Sequence, residues 1–412
     1  MRKFLTQNAR IKKFIEFSNN HTLAGMENLS EVLNSLGENR EQYYNAVSPV
    51  IAQTTNFSFA TVAQMRQSLQ TEFEQPFYTR GYNPTVAILR EKIAALESTE
   101  DALVCSSGSA AVAMAVIGNV KAGDHIICVQ KPYSWTTKLL NNLLARFNVT
   151  STFIDGSDIF NFEKALLPNT KMVFIESPNS MTFEVQDIRS VSAFAKRNNL
   201  ISVIDNSYSS PLFQQPATMG IDLIVHSATK YLNGHSDVVA GVICGSKNHI
   251  QHLFANDWMT LGPSISPHDA WLLIRGLRTL ELRANQSANS AEMIVSALEN
   301  HPKIEKMYWP FSKTNPQLDL AKSQMSKCAG MFSIAIKTDD IKGVERFCDA
   351  LKYFLIACSW GSYESLVFPV CGLATTPSYN NPHLPWNLVR VYVGLEHADL
   401  LLADLKQALE KV

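Results

Sequence analysis

Short apolar runs of strand length recur through the first two thirds of this chain. They include His125 to Val129, Lys171 to Ser177, Leu200 to Ile204 and Leu223 to Val225. Segments with helical spacing separate them. Such alternation folds as a mostly parallel sheet with right-handed crossovers, so the fold class is α/β. In these sheets ligands sit beyond the carboxyl ends of the strands. The residues that follow each run are therefore the ones to examine for chemistry.

The run from Leu200 stops at Asp205-Asn206-Ser207, and the run from Leu223 leads into His226-Ser227-Ala228-Thr229-Lys230-Tyr231. A carboxylate after one buried strand and a lysine after another are well suited to gripping the two ends of an aromatic cation. Pyridoxal phosphate is such a group. Lys230 would hold it covalently, and Asp205 would face its pyridinium nitrogen. A lone lysine after a strand is ordinarily a solvated loop residue. Here Ser227 and Thr229 flank it with hydroxyls suited to phosphate, and Ser207 lies at the mouth of the neighbouring strand. Val104 to Ala111 reads as strand, turn and helix start. Its Ser107, Gly108 and Ser109 would offer unpaired backbone N–H groups to an anion. Arg390 lies inside an apolar strand with Val389, Val391 and Val393. A guanidinium there is costly to bury unless paired, either with a protein carboxylate or with a ligand's.

Ser227-Ala228-Thr229-Lys230-Tyr231, taken with Asp205-Asn206, resembles the Cys/Met-metabolism class of pyridoxal-phosphate enzymes. That class contains the cystathionine synthases and lyases and methionine gamma-lyase. The resemblance runs from about Asn45 to the C-terminus. Tyr78-Thr79-Arg80-Gly81-Tyr82-Asn83-Pro84-Thr85 matches the family motif Tyr-x-Arg-x-x-Asn-Pro-Thr at every fixed position. The resemblance implies a fold type I enzyme, with a large domain and a smaller C-terminal α/β domain. It implies that Tyr78 and Arg80 reach the cofactor phosphate of a neighbouring subunit, so the chain is at least a dimer, with a tetramer expected. Tyr133 would stack on the ring and aid proton transfer beside Lys230 and Asp205. Arg390 would clamp the α-carboxylate of an amino-acid substrate. Ser359 and Trp360 would also face substrate, from a Cys358 to Leu366 segment similar to that of bacterial beta-lyases. The family has Met where this chain has Ser109; a contact made through backbone N–H should not notice. The expected divisions are 1–82 (extension and intersubunit arm), 83–282 (cofactor domain) and 283–412 (small domain).

Basic and acidic residues nearly balance, 36 against 37, which implies no nucleic-acid or membrane partner. The seven cysteines are scattered, without Cys-x-x-Cys. They imply a reducing cytoplasm, no disulfide framework and no metal site. Residues 1–25 are basic at their start and read as a dispensable extension, with a transit peptide as the alternative. Helices are expected over Glu27 to Gln42, after Pro84, over a long stretch from His268 to Leu298, and at the C-terminus.

The reaction is less sharply marked. Ser180-Met181 in place of the usual Asn-Pro, together with the Cys358 segment, favours cystathionine beta-lyase: β-elimination to homocysteine, pyruvate and ammonia. Asn83-Pro84-Thr85 is instead the version of gamma-synthases and gamma-lyases, which keeps γ chemistry open. Trp135 departs from the methionine gamma-lyase pattern. A non-catalytic α/β ligand-binding protein is the reading from a different class, although both common nucleotide-binding glycine motifs are absent.

Overall fold

A computed structural model describes residues 23–373 and 384–412. The extension expected over residues 1–25 falls almost wholly outside them. Two sheets organise the rest. The first contains β1 (Asp101–Cys105), β2 (His125–Val129), β3 (Thr150–Ile154), β4 (Thr170–Glu176), β5 (Ile201–Asp205), β6 (Leu223–His226) and β7 (Gly241–Gly245). Their order is β1-β7-β6-β5-β4-β2-β3. Strands β2 to β6 pair in parallel, and β7 runs antiparallel to both its neighbours. The alternation expected from sequence is thus present, with one reversed strand that the pattern did not announce. Because β7 opposes both β1 and β6, those two strands point the same way and end at the same edge.

The parallel strands are buried almost throughout, as strands covered by helices on both faces must be. One apolar core fills each face. Val104, Ile127, Val173 and Ile224 belong to one; Leu103, Ile126, Met172 and Val225 belong to the other. The second sheet contains β8 (Ile304–Tyr308), β9 (Met331–Ile336), β10 (Leu355–Ile356), β11 (Leu366–Pro369) and β12 (Leu388–Tyr392), in the order β10-β11-β12-β9-β8. It has its own core, built with the final helix Ala398–Leu409 through Leu401, Leu405 and Leu409.

Helix Pro84–Leu96 starts as the sequence requires. Asn83 is extended, its side chain accepts the Thr85 N–H, and proline occupies the first turn. Two helical expectations need correction. The N-terminal helix is Leu23–Asn34 and does not continue to Gln42. The long helix from His268 is two helices, Pro267–Leu277 and Leu280–Leu298. Local and distant partners meet at that break: Arg278 turns to the buried Glu38 at 3.1 Å, while Arg283 donates to Gly276 O at 2.7 Å and Thr279 Oγ1 at 3.0 Å. The segment between Asn45 and Phe59 contains no helix or named strand, as expected for an arm.

Candidate active site

The carboxyl edge of the first sheet gathers the loops that follow β1, β2, β4, β5 and β6. Asp205 closes β5 and is buried. Its Oδ1 accepts the Ser207 N–H at 2.9 Å, and Ser207 Oγ accepts the Ser227 N–H at 2.7 Å. These bonds tie the two strand ends together, so the carboxylate and the lysine turn share one frame. Burial raises the Asp205 carboxyl above its ordinary range, against the pull of Ser207, His226 and Lys230. His226 is itself buried and hydrogen-bonded through Nε2 to Glu97, which also accepts from Asn206 Nδ2 at 2.9 Å.

Lys230 is largely enclosed, and its Nζ donates to Ser359 Oγ at 2.8 Å. Burial lowers its amine to about 8, helped by Arg390 and opposed by Cys358 and Asp205. The chain therefore presents an amine of which about one fifth is neutral at pH 7.4, with a carboxyl and a guanidinium within electrostatic reach. The segment carrying Ser359 packs directly on the lysine turn. A Cβ at Gly361 would lie 2.7 Å from Tyr231 N, and its φ of +90° already favours glycine. Trp360 is buried, edge-on to Tyr231, with Lys230 Nζ 5.4 Å from its ring centre. It forms the wall behind the amine.

Ser107 caps helix Gly108–Ile117, its side chain accepting the Ala110 N–H at 3.0 Å. A Cβ at Gly108 would meet Ser227 Cβ at 2.8 Å. Glycine thus lets the helix start and the Ser227 turn approach each other, as an anion cradle between them requires. The hydroxyl of Thr229 donates to Ala240 O at 3.1 Å and accepts the Ala240 N–H at 2.9 Å, so it anchors its own turn. Tyr133 is partly exposed in the loop after β2. Its phenol is raised by burial, with the Ser109 side chain opposing.

Arg390, on β12, is 7 % exposed. Its Nη2 donates to Cys358 O at 2.8 Å, and its Nη1 approaches Ser180 O at 3.4 Å and Met181 Sδ at 3.6 Å. No carboxylate pairs with it among the described residues. Of the two readings left open by sequence, a core ion pair is thereby removed. Burial lowers its pKa to about 10, with Cys358 and then Glu176 opposing. Tyr78 and Arg80 stand apart. Both are exposed, the guanidinium carbon lies 5.2 Å from the tyrosine ring centre, and Arg80 O accepts from Trp258 Nε1 at 2.9 Å. Neither has a hydrogen bond or ion pair with the Lys230 cluster of its own chain among the described residues.

Sequence reasoning missed Glu176 and Arg283. Glu176 ends an apolar strand just as Asp205 does, and that signal could have found it. Arg283 donates to Tyr231 O at 3.1 Å and packs on Gly234, where a Cβ would sit 1.7 Å from Nη1. It holds the far side of the lysine turn.

The site fits pyridoxal phosphate: a poised amine, a buried carboxyl within electrostatic reach of it, a glycine-lined helix start beside two serines, and a half-exposed tyrosine on the neighbouring loop. Comparison with known proteins agrees. The profile of the Cys/Met metabolism PLP-dependent enzymes matches residues 31–410. An L-methionine gamma-lyase of Treponema denticola is 37% identical over 376 residues, covering 90% of this chain and 94% of that one. A cystathionine gamma-lyase of Bacillus subtilis is 36% identical over 360 residues, covering 86% and 93%. The crystal structure of metB from Corynebacterium glutamicum superposes with a TM-score of 0.86 at 30% identity, covering 93% and 97%. The chain belongs to the Cys/Met-metabolism family of pyridoxal-phosphate-dependent enzymes, as a fold type I lyase acting on sulfur amino acids.

Proposed function

We propose that this enzyme cleaves the carbon–sulfur bond of cystathionine by β-elimination: cystathionine and water give homocysteine, pyruvate and ammonia. One observation carries the proposal. Lys230, lowered to about 8, sits with Ser359 on one side and the carboxylate-free Arg390 within electrostatic reach. Arg390 would take the substrate α-carboxylate in a two-pronged bond. That places the Cα–H near the Lys230 amine, which removes the proton and carries it toward the departing sulfur. Ser359 holds the amine in line. The cofactor, when bound, supplies the electron sink. Asp205 would face the ring nitrogen and keep it protonated, while the serines at 107 and 227 with the N–H groups of Gly108 and Ser109 would seat the phosphate. Ser207 braces Asp205 against Ser227. Thr229 contributes its turn, Tyr133 covers the ring, and Trp360 excludes water behind the amine. β-Elimination needs only the one deprotonation at Cα, and Ser180-Met181 with the Cys358 segment is what favours it over γ chemistry.

The names of the relatives and the motif Asn83-Pro84-Thr85 support a second reading, γ-elimination to cysteine and 2-oxobutyrate. Feeding cystathionine and identifying the oxo acid separates the two. Lys230→Ala should abolish either reaction and the yellow colour; a variant that kept its turnover would overturn the assignment of the base. A colourless wild-type protein unable to take up the cofactor would instead favour the non-catalytic alternative.

Tyr78 and Arg80 point to a homo-oligomer, a dimer at least and a tetramer by the family's habit. They leave their own chain's site unserved, and the same arm exposes Tyr44, Val47, Val62 and Met65. All seven cysteines are free, which supports a cytoplasmic location. No helix among the described residues is long and apolar enough to cross a membrane. The proposed division near Arg283 would fall within helix Leu280–Leu298, whose Ala284 and Ala288 pack on the first sheet's core and whose Ile294 and Leu298 pack on the second's.

A further inference from the structure

The site contains a second buried carboxylate to which none of these roles falls. Glu176 closes β4 beside Asp205, its register partner on β5, and is 5 % exposed. Its two oxygens serve two different loops. Oε2 accepts the Tyr133 N–H at 2.6 Å, and Oε1 accepts the Ser180 N–H at 2.9 Å. Each loop continues to a working side chain. The first carries the Tyr133 ring. The second turns its Ser180 carbonyl and Met181 sulfur toward the guanidinium of Arg390.

We propose that Glu176 is the positioning residue of this site, one carboxylate that sets the ring-covering tyrosine and the substrate-carboxylate clamp in register with each other. The proposal rests on the roles given above to Tyr133 and Arg390. The two donors at hydrogen-bond distance from Glu176 are backbone N–H groups, and the Ser180 side chain also favours its ionised form. Only an acceptor at each oxygen satisfies them, so the ionised carboxylate is the form that fits. A glutamine turns an N–H toward an N–H at one of the two loops, and a protonated carboxyl does the same with its O–H. The groups that face Glu176 are Cys128 from β2, Tyr133 from the loop after it, Asp205 from β5 and Arg390 from β12. Lys230 and His226 act on it through Asp205. Burial and the Asp205 charge raise Glu176 to about 8 against its two backbone bonds and the Ser180 side chain. The joint setting of the two loops is therefore lost as pH falls through that value in the unloaded chain. A ring cation against Asp205 relieves the repulsion and extends the setting to lower pH.

The test uses full-length Glu176→Gln. Melting temperature and cofactor content should stay near wild type. The visible circular dichroism of the bound cofactor should change, since it reports the seating of the ring. KM for the thioether amino acid that the enzyme cleaves fastest should rise about tenfold or more, with kcat altered less than about threefold. A merely structural glutamate would lower melting temperature and occupancy while leaving KM and dichroism per occupied site unchanged, and that result overturns the proposal. A measurement on the wild-type chain without cofactor needs no variant. Hydrogen exchange, corrected for its intrinsic pH dependence, should show the segments containing Tyr133 and Ser180 losing protection together as pH falls from 9 to 7. Segments that respond separately, or not at all, refute the coupling. That readout is independent of the reaction, so failure of the lyase reading would show in Lys230→Ala and product analysis while the exchange result stood.

Discussion

Replacing Arg390 with glutamine should raise the pKa of Lys230, and the size of the effect follows from how the amine is held. At a pKa of about 8, about one fifth of the amine is neutral at pH 7.4; at an unperturbed value the fraction would be about one in a thousand. Burial is the larger cause and stays in the variant. Arg390 is the second cause. For a unit charge at an assumed separation of about 7 Å, an effective dielectric of about 20 gives roughly 2 kcal/mol, and solvent would screen about half of that. The variant should therefore titrate about one pH unit higher, leaving roughly an eighth of the neutral amine at pH 7.4. Competitive labelling reads this directly: trace acetic anhydride is offered to the cofactor-free chain between pH 6.5 and 10, and acetylation of the Lys230 peptide is quantified by mass spectrometry. Arg390→Lys keeps the charge and should follow wild type. An unshifted midpoint in Arg390→Gln, or an equal shift in Arg390→Lys, would show that the guanidinium charge does not tune the amine.

Two further outcomes follow from local geometry. Gly361→Ala forces a side chain into a left-handed backbone against Tyr231 N; at roughly 1–3 kcal/mol for the conformation alone, it should loosen the lysine turn and reduce cofactor content, and full occupancy at wild-type activity would contradict the packing described. Cys358 is the one exposed cysteine among the seven, while burial raises Cys105, Cys128, Cys244 and Cys328, and Cys348 to about 12. Iodoacetamide should label Cys358 first with activity falling in step, and Cys358→Ser should be insensitive; loss that tracks another cysteine would place the reactive thiol elsewhere.

Much of this arrangement is legible in one dimension because it obeys local rules. Asp205 and Lys230 each follow an apolar strand, and parallel topology carries both to one edge. Asn83 and Pro84 announce the helix they begin. What was not legible depends on partners distant in sequence. Helix Pro267–Leu277 ends where Arg278 finds Glu38, 240 positions away, and Gly276 in its last turn is the one local sign of the break. Glu176 carries the same signal as Asp205, but its role emerges only once β4 and β5 are neighbours and two loops donate to it.

The charges of the site make sense only in relation to a ligand. Arg390 and Lys230 are cations within the site, and Asp205 and Glu176 are carboxyls, yet the chain forms no direct salt bridge between these pairs among the described residues. Burying such groups unpaired opposes folding, and the protein shows the strain in an amine lowered to about 8 and a carboxyl raised to about 8. A pocket under selection for stability alone would let the pairs close or replace them with apolar side chains. Keeping them open retains a guanidinium for a substrate carboxylate, a carboxyl for a ring cation and an amine able to take a proton. By linkage, Glu176 contributes stability to the cofactor-free chain below pH about 4.5 that is lost as pH rises to about 8. Lys230 works the other way, its lowered value adding stability as pH rises from about 8 toward 10.5. Near neutral pH the empty site is thus held close to its least favourable charge state, which is where binding of oppositely charged groups relieves it most.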